Sequence, residues 1–463
     1  MFTTFHDRPI AATPRRGLVG WALFDWAMQP FFTLVTTFVF APFFAARLAT
    51  SPAEGQALWG YATAAAGLVI ALMSPILGSI ADAAGRRKPW VMAFGVLMMF
   101  GSAALWFAVP GTPWAIPLAL MAFAIGTIGA EFATVFNNAM MPGLVKPERL
   151  GRLSGAGWAC GYVGGLVSLV LTLGLLAANP ETGRTLLGFA ALFGLDPATG
   201  AGDRASGPLS AIWFLIFVLP MLLFTPDQRA TGRTWSEAAS HGLRELRGTL
   251  KGLGMDRNLT RFLIANMVFT DGLVALFAFG GIYAAGIFGW TTIEIGIFGI
   301  VLTITGTIGA VLGGGLDDRI GSKAVVSGAL ITLIACALVI VSIDASHVLF
   351  VITAEGPAPG DGLYGSTPER LYLAAGAVIG LAAGPLQAAS RTLLARLAPR
   401  QQIGQFFGLF ALSGKVTSFM GPLAVAIVTD ATQSQRGGAA VLIAFFVVGL
   451  VLLAGVEGHR RDV

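Results

Sequence analysis

The chain has 463 residues, of which 55% are hydrophobic and only 11% charged, with a formal net charge of +5. So little charge cannot solvate a globule of this length, which excludes a soluble enzyme or a soluble binding domain. The cations flank apolar stretches and form no aromatic-interleaved basic patch, so the positive balance points to membrane orientation and not to nucleic acid.

Twelve apolar segments follow one another, near 18–46, 57–83, 90–109, 114–138, 152–178, 208–225, 258–286, 293–316, 324–343, 370–392, 403–429 and 438–457. A bilayer needs about 20 apolar residues per helical crossing, and in lipid only a helix satisfies its own backbone. The expected fold is an all-α membrane protein of twelve transmembrane helices in two pseudo-symmetric six-helix bundles. Its parts are an N-terminal tail at 1–17, bundles at 18–225 and 258–457, a linker at 226–257 and a tail at 458–463.

Arg8, Arg15 and Arg16 lead straight into the first segment without a small-residue cleavage site, so a retained cytoplasmic tail is expected. With that end inside, the cytoplasmic segments hold 23 cations. The outer loops hold five, Arg47, Arg184, Arg204, Arg370 and Arg436, and Lys415 is left in a span. This bias places both termini in the cytoplasm, with a bacterial inner membrane as the expected site.

In the first span Asp25 is an interior charge, and Gln29, Thr33 and Thr36 recur at helical spacing behind it. Between the second and third spans lies Gly78-Ser-Ile-Ala-Asp82-Ala-Ala-Gly85-Arg86-Arg87-Lys88-Pro89, a tight hairpin with a carboxylate, a turn glycine and three cations. Set against the positive end of a neighbouring helix, Asp82 would latch the cytoplasmic side in one state of an alternating-access cycle, with Arg86 or Arg87 against a partner acid. The plainer reading is that these cations only mark the inside.

The fourth span carries Glu131 and ends on Asn137 and Asn138, amides able to read polar substrate atoms or to bond between helices. Span five repeats Gly157, Gly161 and Gly165; span eight has Gly309 and Gly313, and span ten Gly376, Gly380 and Gly384. Small residues at this spacing let helices approach closely. Cys160 and Cys336 lie in opposite halves and suggest neither a disulfide nor a metal site. The outer loops 179–207 and 344–369 read as caps of low order without chemistry. In the linker, Leu243, Leu246, Leu250 and Leu253 alternate with Arg244, Arg247 and Lys251, a basic amphipathic helix on the inner membrane surface.

Span seven carries Asp271. After span eight the hairpin recurs 236 positions on, with Asp318 matching Asp82, Gly321 matching Gly85, and Arg319 close by. At an offset of 253, Gly404 matches Gly151, Gly408 matches Gly155 and Arg391 matches Asn138. Duplication explains both echoes. Lys415 completes the interior charges.

Charges within hydrocarbon are costly, so Asp25, Glu131, Asp271 and Lys415 are candidate site residues, able to converge on one central cavity. The structural alternatives are that Asp25 pairs with a loop cation, that Glu131 sits in a static ion pair and that Lys415 neutralises one of the acids. Three acids and a base suit a proton-coupled carrier of a zwitterion or anion. Lys415 would hold a carboxylate, and an acid an amine or the proton. Lys415, Asp271, Asp25, Gln29, Asn137 and Asn138 are the candidate substrate contacts, and Glu131, Asp25 and Asp271 the candidate proton carriers. Asp82, Gly85, Arg86, Arg87, Asp318, Arg319 and Arg391 are the candidate cytoplasmic gate.

Gly78 to Lys88 is similar to the signature between helices two and three of the major facilitator superfamily. Trp21-Ala-Leu-Phe-Asp25-Trp26-Ala27 and Phe38-Val-Phe-Ala-Pro42 resemble the first helix of one branch. Gly151-Arg152-Leu-Ser154-Gly155-Ala-Gly157-Trp158 and Phe406 through Gly414-Lys415 to Gly421-Pro422 point the same way. Together they resemble the vacuolar amino-acid effluxers linked to autophagy and their bacterial relatives. The resemblance implies a twelve-helix fold and secondary transport, with efflux of amino acids or similar small metabolites. It also places Asp25, Asp271 and Lys415 within family motifs. The arginine found in helix four of many proton antiporters is absent here, as is the proline of their fifth helix.

Two other functions fit the same outline: movement of an amphiphile such as a lysolipid or cell-wall fragment, and a sensing or structural role. Catalysis is not expected. His6, His241, His347 and His459 lie in tails or loops, no metal-ligand or nucleophile–base pair occupies a span, and Gly414-Lys415 precedes Val416 rather than Ser or Thr. No cofactor or metal is expected. The expected partners are a small solute, protons and the bilayer, with the chain monomeric.

Overall fold

The computed structural model describes residues 13–180, 182–253, 257–290, 292–356, 362–415 and 417–458. His6, Arg8, Val416 and His459 lie outside the described residues. Twelve helical stretches are long and apolar enough to cross a membrane. Spans one to six are Arg15–Leu48, Leu58–Ala84, Lys88–Phe107, Ala115–Gly143, Pro147–Leu176 and Ala201–Phe224. Spans seven to twelve are Arg257–Phe288, Glu294–Ile320, Ser322–Val341, Thr367–Leu397, Arg400–Thr432 and Gln435–Ala454.

The first span is not a uniform helix. An α-helix runs Arg15–Pro30, and a π-type stretch Phe31–Phe38 follows before the backbone breaks at Val39. The hydroxyls of Thr36 and Thr37 both donate to the Phe32 carbonyl, at 2.5 and 2.9 Å, in place of regular ladder partners. Thr36 is therefore spent on its own helix.

The glycine runs have one role each. A Cβ at Gly157 would lie 2.5 Å from Asp25 Oδ2, and one at Gly165 2.5 Å from Thr33 Oγ1. The run in span five is thus the groove that seats span one. Gly309 and Gly313 meet Leu381 and Pro385, while Gly380 and Gly384 meet Thr305 and Gly306, so those runs join spans eight and ten. All three serve packing within a half. Contacts between the halves use other glycines: Gly78 against Gly404, Gly408 against Ser74, and Gly155 against Ala310.

The halves meet through span two on span eleven and span five on span eight. The cross-half bonds described below fall between the middle of the spans and the end that carries the two hairpins, here called the hairpin end.

The linker helix Trp235–Leu253 packs along span two, where a Cβ at Gly242 would come within 2.8 Å of the Ile80 nitrogen. Leu246 is buried while Leu243, Arg244 and Arg247 face outward. The stretch before it braces the first hairpin. Asp227 accepts from the Arg87 and Lys88 amides at 2.9 and 3.2 Å, and the Thr231 hydroxyl donates to Ala83 O at 2.7 Å. The outer loops carry more structure than their composition suggested. His347–Val348 pairs antiparallel with Ile352–Thr353, and Asp344 fastens that hairpin to Arg436 at 2.9 Å.

Candidate gate and transport site

At the hairpin end each half caps a helix of the other. Asp82, from span two, accepts from the amides of Gly404 at 2.9 Å and Gln405 at 2.7 Å, where span eleven begins. Asp318, from span eight, accepts from Gly151 at 2.8 Å and Arg152 at 3.1 Å, where span five begins. A helix N-terminus presents unpaired amides and the positive end of its dipole, so each carboxylate is held by hydrogen bonds and by field. Gly151 and Gly404 match in the sequence, and they match in this role.

The cations that brace the caps differ. Asp82 pairs with buried Arg87 of its own hairpin. Asp318 lies 3.5 Å from Arg152 and 3.7 Å from Arg396 of span ten, and Arg396 is bound at 2.8 Å to Asp317. Gly85, at φ +92°, makes the turn with its α-carbon beside the Arg229 carbonyl, a place no side chain fits. Arg86 and Arg319 are exposed and form no ion pair among the described residues. Of Arg86 and Arg87, one of which was expected against an acid, it is Arg87 that pairs, with Asp82 of its own hairpin; at the second hairpin Arg396 takes that place and Arg319 does not.

Further from the hairpins, Arg391 crosses from span ten into the first half. Its Nη1 donates to Asp25 Oδ2 at 3.2 Å and to Asn138 Oδ1 at 3.0 Å. Nε donates to Ser154 Oγ at 2.9 Å and Nη2 to the Ser154 carbonyl at 2.6 Å. The guanidinium also lies over the rings of Trp21 and Trp158, at 5.1 and 5.8 Å from their centroids. A planar cation with five donors can meet all of these at once. Counting Arg391 among loop cations missed it as an interior charge, because the apolar run was ended near 392 whereas the helix continues to Leu397.

In mid-span, Lys415 Nζ lies 2.6 Å from Glu131 Oε1, joining spans eleven and four. The side chains keep 33% and 17% of their accessible surface, so this ion pair is open to a ligand as the Arg391 pair, at 5% and 14%, is not. Beside it in depth, the Tyr162 hydroxyl donates to Gln387 Oε1 at 2.5 Å, again across the halves. Gln29 is half-buried against span five and donates weakly to Thr33 at 3.5 Å. Asn137 is fully buried, with its carbonyl bound to Trp21 Nε1 at 2.8 Å, so its amide is not on an open cavity wall. Asp271 is buried between spans seven and eleven within the second half, its backbone oxygen against Gly421.

The single convergent quartet expected from the sequence is therefore divided. Asp25 belongs to Arg391, Glu131 to Lys415, and Asp271 lies apart. The physical reason is the extra cation: once Arg391 takes Asp25, Lys415 is left to Glu131.

Residues 54–462 match the family model described as vacuole effluxer Atg22 like. The chain belongs to that family. Over 458 residues it is 27% identical to the uncharacterized MFS-type transporter YxiO of Bacillus subtilis strain 168, with 96% of each chain covered. It is 23% identical over 342 residues to autophagy-related protein 22 of Yarrowia lipolytica, covering 67% of this chain and about half (51%) of that one. In three dimensions it resembles FucP, a major facilitator superfamily transporter in the outward conformation, with a TM-score of 0.69 at 14% identity, covering 95% of this chain and 97% of that one. The human organic anion transporter MFSD10 (TETRAN) gives 0.66 at 15% identity, covering 96% and 100%. The fold is that of the major facilitator superfamily, and this Atg22-like protein is an integral membrane transporter, not an enzyme.

Ser154, Arg396, Asp317 and Asp227 had not been singled out from the sequence. Asp317 adjoins Asp318 and could have been suspected. Ser154 stands inside the Gly151–Trp158 motif, which marks its place but not its bond to Arg391, and Asp227 carries no signal, since an acid in a linker is ordinary.

Proposed function

We propose that this Atg22-like transporter moves a small zwitterion, such as an amino acid, by alternating access in proton-coupled efflux. The observation that carries the reading is the accessible Glu131–Lys415 pair between the halves. A net-neutral site of one acid and one base suits a net-neutral ligand with both charges: the ammonium replaces Lys415 at Glu131, and the carboxylate replaces Glu131 at Lys415. A simple anion would satisfy Lys415 and leave Glu131 uncompensated, which costs several kcal/mol in a partly dry site. Protonation of Glu131 would remove its hold on Lys415 and so exchange a proton against the substrate. Gln29 offers a further polar contact beside span five, with Asn138 at the floor, where it holds Arg391.

In this reading Asp82, Gly85, Arg87, Asp318 and Arg391 keep the hairpin end shut, and that end faces the cytoplasm of a bacterial cell. The cation bias supports the orientation. The family description and the Bacillus relative support efflux across an inner membrane. The transporter would work as a monomer, with one such site between its own halves. Proteoliposomes holding the purified protein test it: labelled neutral amino acids should exchange, respond to an imposed pH gradient and stop responding with a protonophore. Glu131→Gln should keep exchange but lose the gradient response. Absence of zwitterion exchange in folded protein that moves an amphiphile instead would overturn it.

A further inference from the structure

At the end opposite the hairpins, the second half holds a cavity of about 500 Å³ that has no part in the scheme above. Spans seven, nine, ten, eleven and twelve line it, and Glu131 and Lys415 do not. Toward mid-membrane its wall is Leu276, Phe279, Val425 and Leu442, and beside them Tyr283 and Tyr372 stack with ring centroids 5.9 Å apart. This wall offers apolar contact and little else, because both tyrosine hydroxyls are spent on backbone. Tyr283 donates to Ile340 O at 3.3 Å and Tyr372 to Gly280 O at 2.7 Å.

The polar groups gather at the mouth, in the turn between spans eleven and twelve, and most are committed. Ser434 Oγ accepts from the Gly437 amide at 3.4 Å, Gln433 Nε2 donates to Asp430 O at 2.6 Å, and the Thr429 side chain packs on Gly438. The Asp430 carboxylate is the exception. It is exposed, forms no ion pair among the described residues, and accepts one weak bond there, from Gln433 Nε2 at 3.4 Å. The nearby Arg436 does not compensate it, being paired with Asp344 at 2.9 Å and set over the Phe350 ring. The mouth therefore carries one unbalanced negative charge above an apolar cavity.

Those two features select the ligand. A neutral apolar molecule would fill the cavity and leave the carboxylate unused, and an anionic amphiphile would meet it with like charge. An amino acid brings a carboxylate of its own and too little apolar body for the wall. A cation with an apolar body uses both parts: the body leaves water at about 25 cal/mol per Å², and the head stays partly wet beside Asp430. The volume and apolar lining are those of a small-molecule site. We propose that the second half binds a lipophilic monocation of the alkyl- or arylammonium class, its body between spans seven, eleven and twelve and its ammonium at Asp430. Because the cavity lies wholly within one half, this site does not rest on the zwitterion reading.

Binding of tritiated octylammonium to the purified full-length protein, in maltoside detergent at neutral pH and low salt, tests it. One saturable site per chain is expected, displaced by unlabelled octylammonium and not by octanesulfonate. Asp430→Asn, an exposed and nearly isosteric change, should weaken binding by about fivefold. Ala439→Phe, which fills the cavity from span twelve, should abolish it in protein that still melts cooperatively. Glu131→Gln should bind the cation as the unmodified protein does, which separates this site from the carboxylate between the halves. Absence of a saturable site, displacement by octanesulfonate as effective as by octylammonium, unchanged affinity in Asp430→Asn, or loss of binding in Glu131→Gln would each overturn the proposal.

Discussion

Lys415→Ala should weaken zwitterion binding by about 10- to 100-fold, the worth of one charge-assisted hydrogen bond in a partly buried site. It should also lower Tm, because Glu131 then faces a cavity with its 2.6 Å partner gone. The two effects separate in the double variant. Glu131→Gln with Lys415→Ala removes the stranded charge, so Tm recovers while binding stays weak. Calorimetric titration of the purified variants with a bound amino acid, beside their melting curves, checks both. Unchanged binding in Lys415→Ala would remove that residue from the site.

Arg391→Ala should have the largest effect on conformation. The guanidinium makes four hydrogen bonds to Asp25, Asn138 and Ser154, all across the halves. Breaking a buried ion pair by deleting one partner costs about 3–5 kcal/mol. Because every partner lies in the opposite half, that loss falls on the state closed at the hairpin end. The equilibrium should shift by two or more orders of magnitude toward opening there. Cys160 lies beside Asp25 and is half-buried, which makes it a native reporter. With Cys336 replaced by Ser, its alkylation by an impermeant maleimide added at the hairpin end should speed up at least about tenfold in Arg391→Ala. Arg391→Lys should behave nearly as badly, since an ammonium cannot reach Asp25 and Ser154 together or lie flat over Trp21 and Trp158. An unchanged rate in the alanine variant would mean that the pair holds nothing shut.

How far the sequence alone reaches depends on the kind of signal. Twelve spans and their two-half arrangement are legible because lipid forces each apolar run into a helix of bilayer length. The reciprocal caps are legible in part. Asp82 and Asp318 sit in a repeated hairpin, and a carboxylate beside a turn glycine has few roles other than capping. Which helix each caps is not written locally, since Gly404 and Gly151 lie in the other half. The interior charges were the harder problem. Arg391 stands near a span end in a helix that outlasts its apolar run, so hydropathy hid it. Without that cation the three acids looked like partners of one lysine. Pairing of buried charges is settled by packing of the halves, which periodicity does not encode.

In the proposed mechanism the two halves lock at the hairpin end through reciprocal caps and the Arg391 clamp, and a zwitterion at Glu131 and Lys415 releases them. Paired spin labels measure this directly, one pair at exposed Arg86 and Gln401 on the hairpin end and another at exposed Thr50 and Ala431 on the opposite end. On adding substrate with protons, the Arg86–Gln401 distance distribution should lengthen as the Thr50–Ala431 distribution shortens. Both pairs lengthening together, or neither moving in protein that still exchanges substrate, would contradict this mechanism.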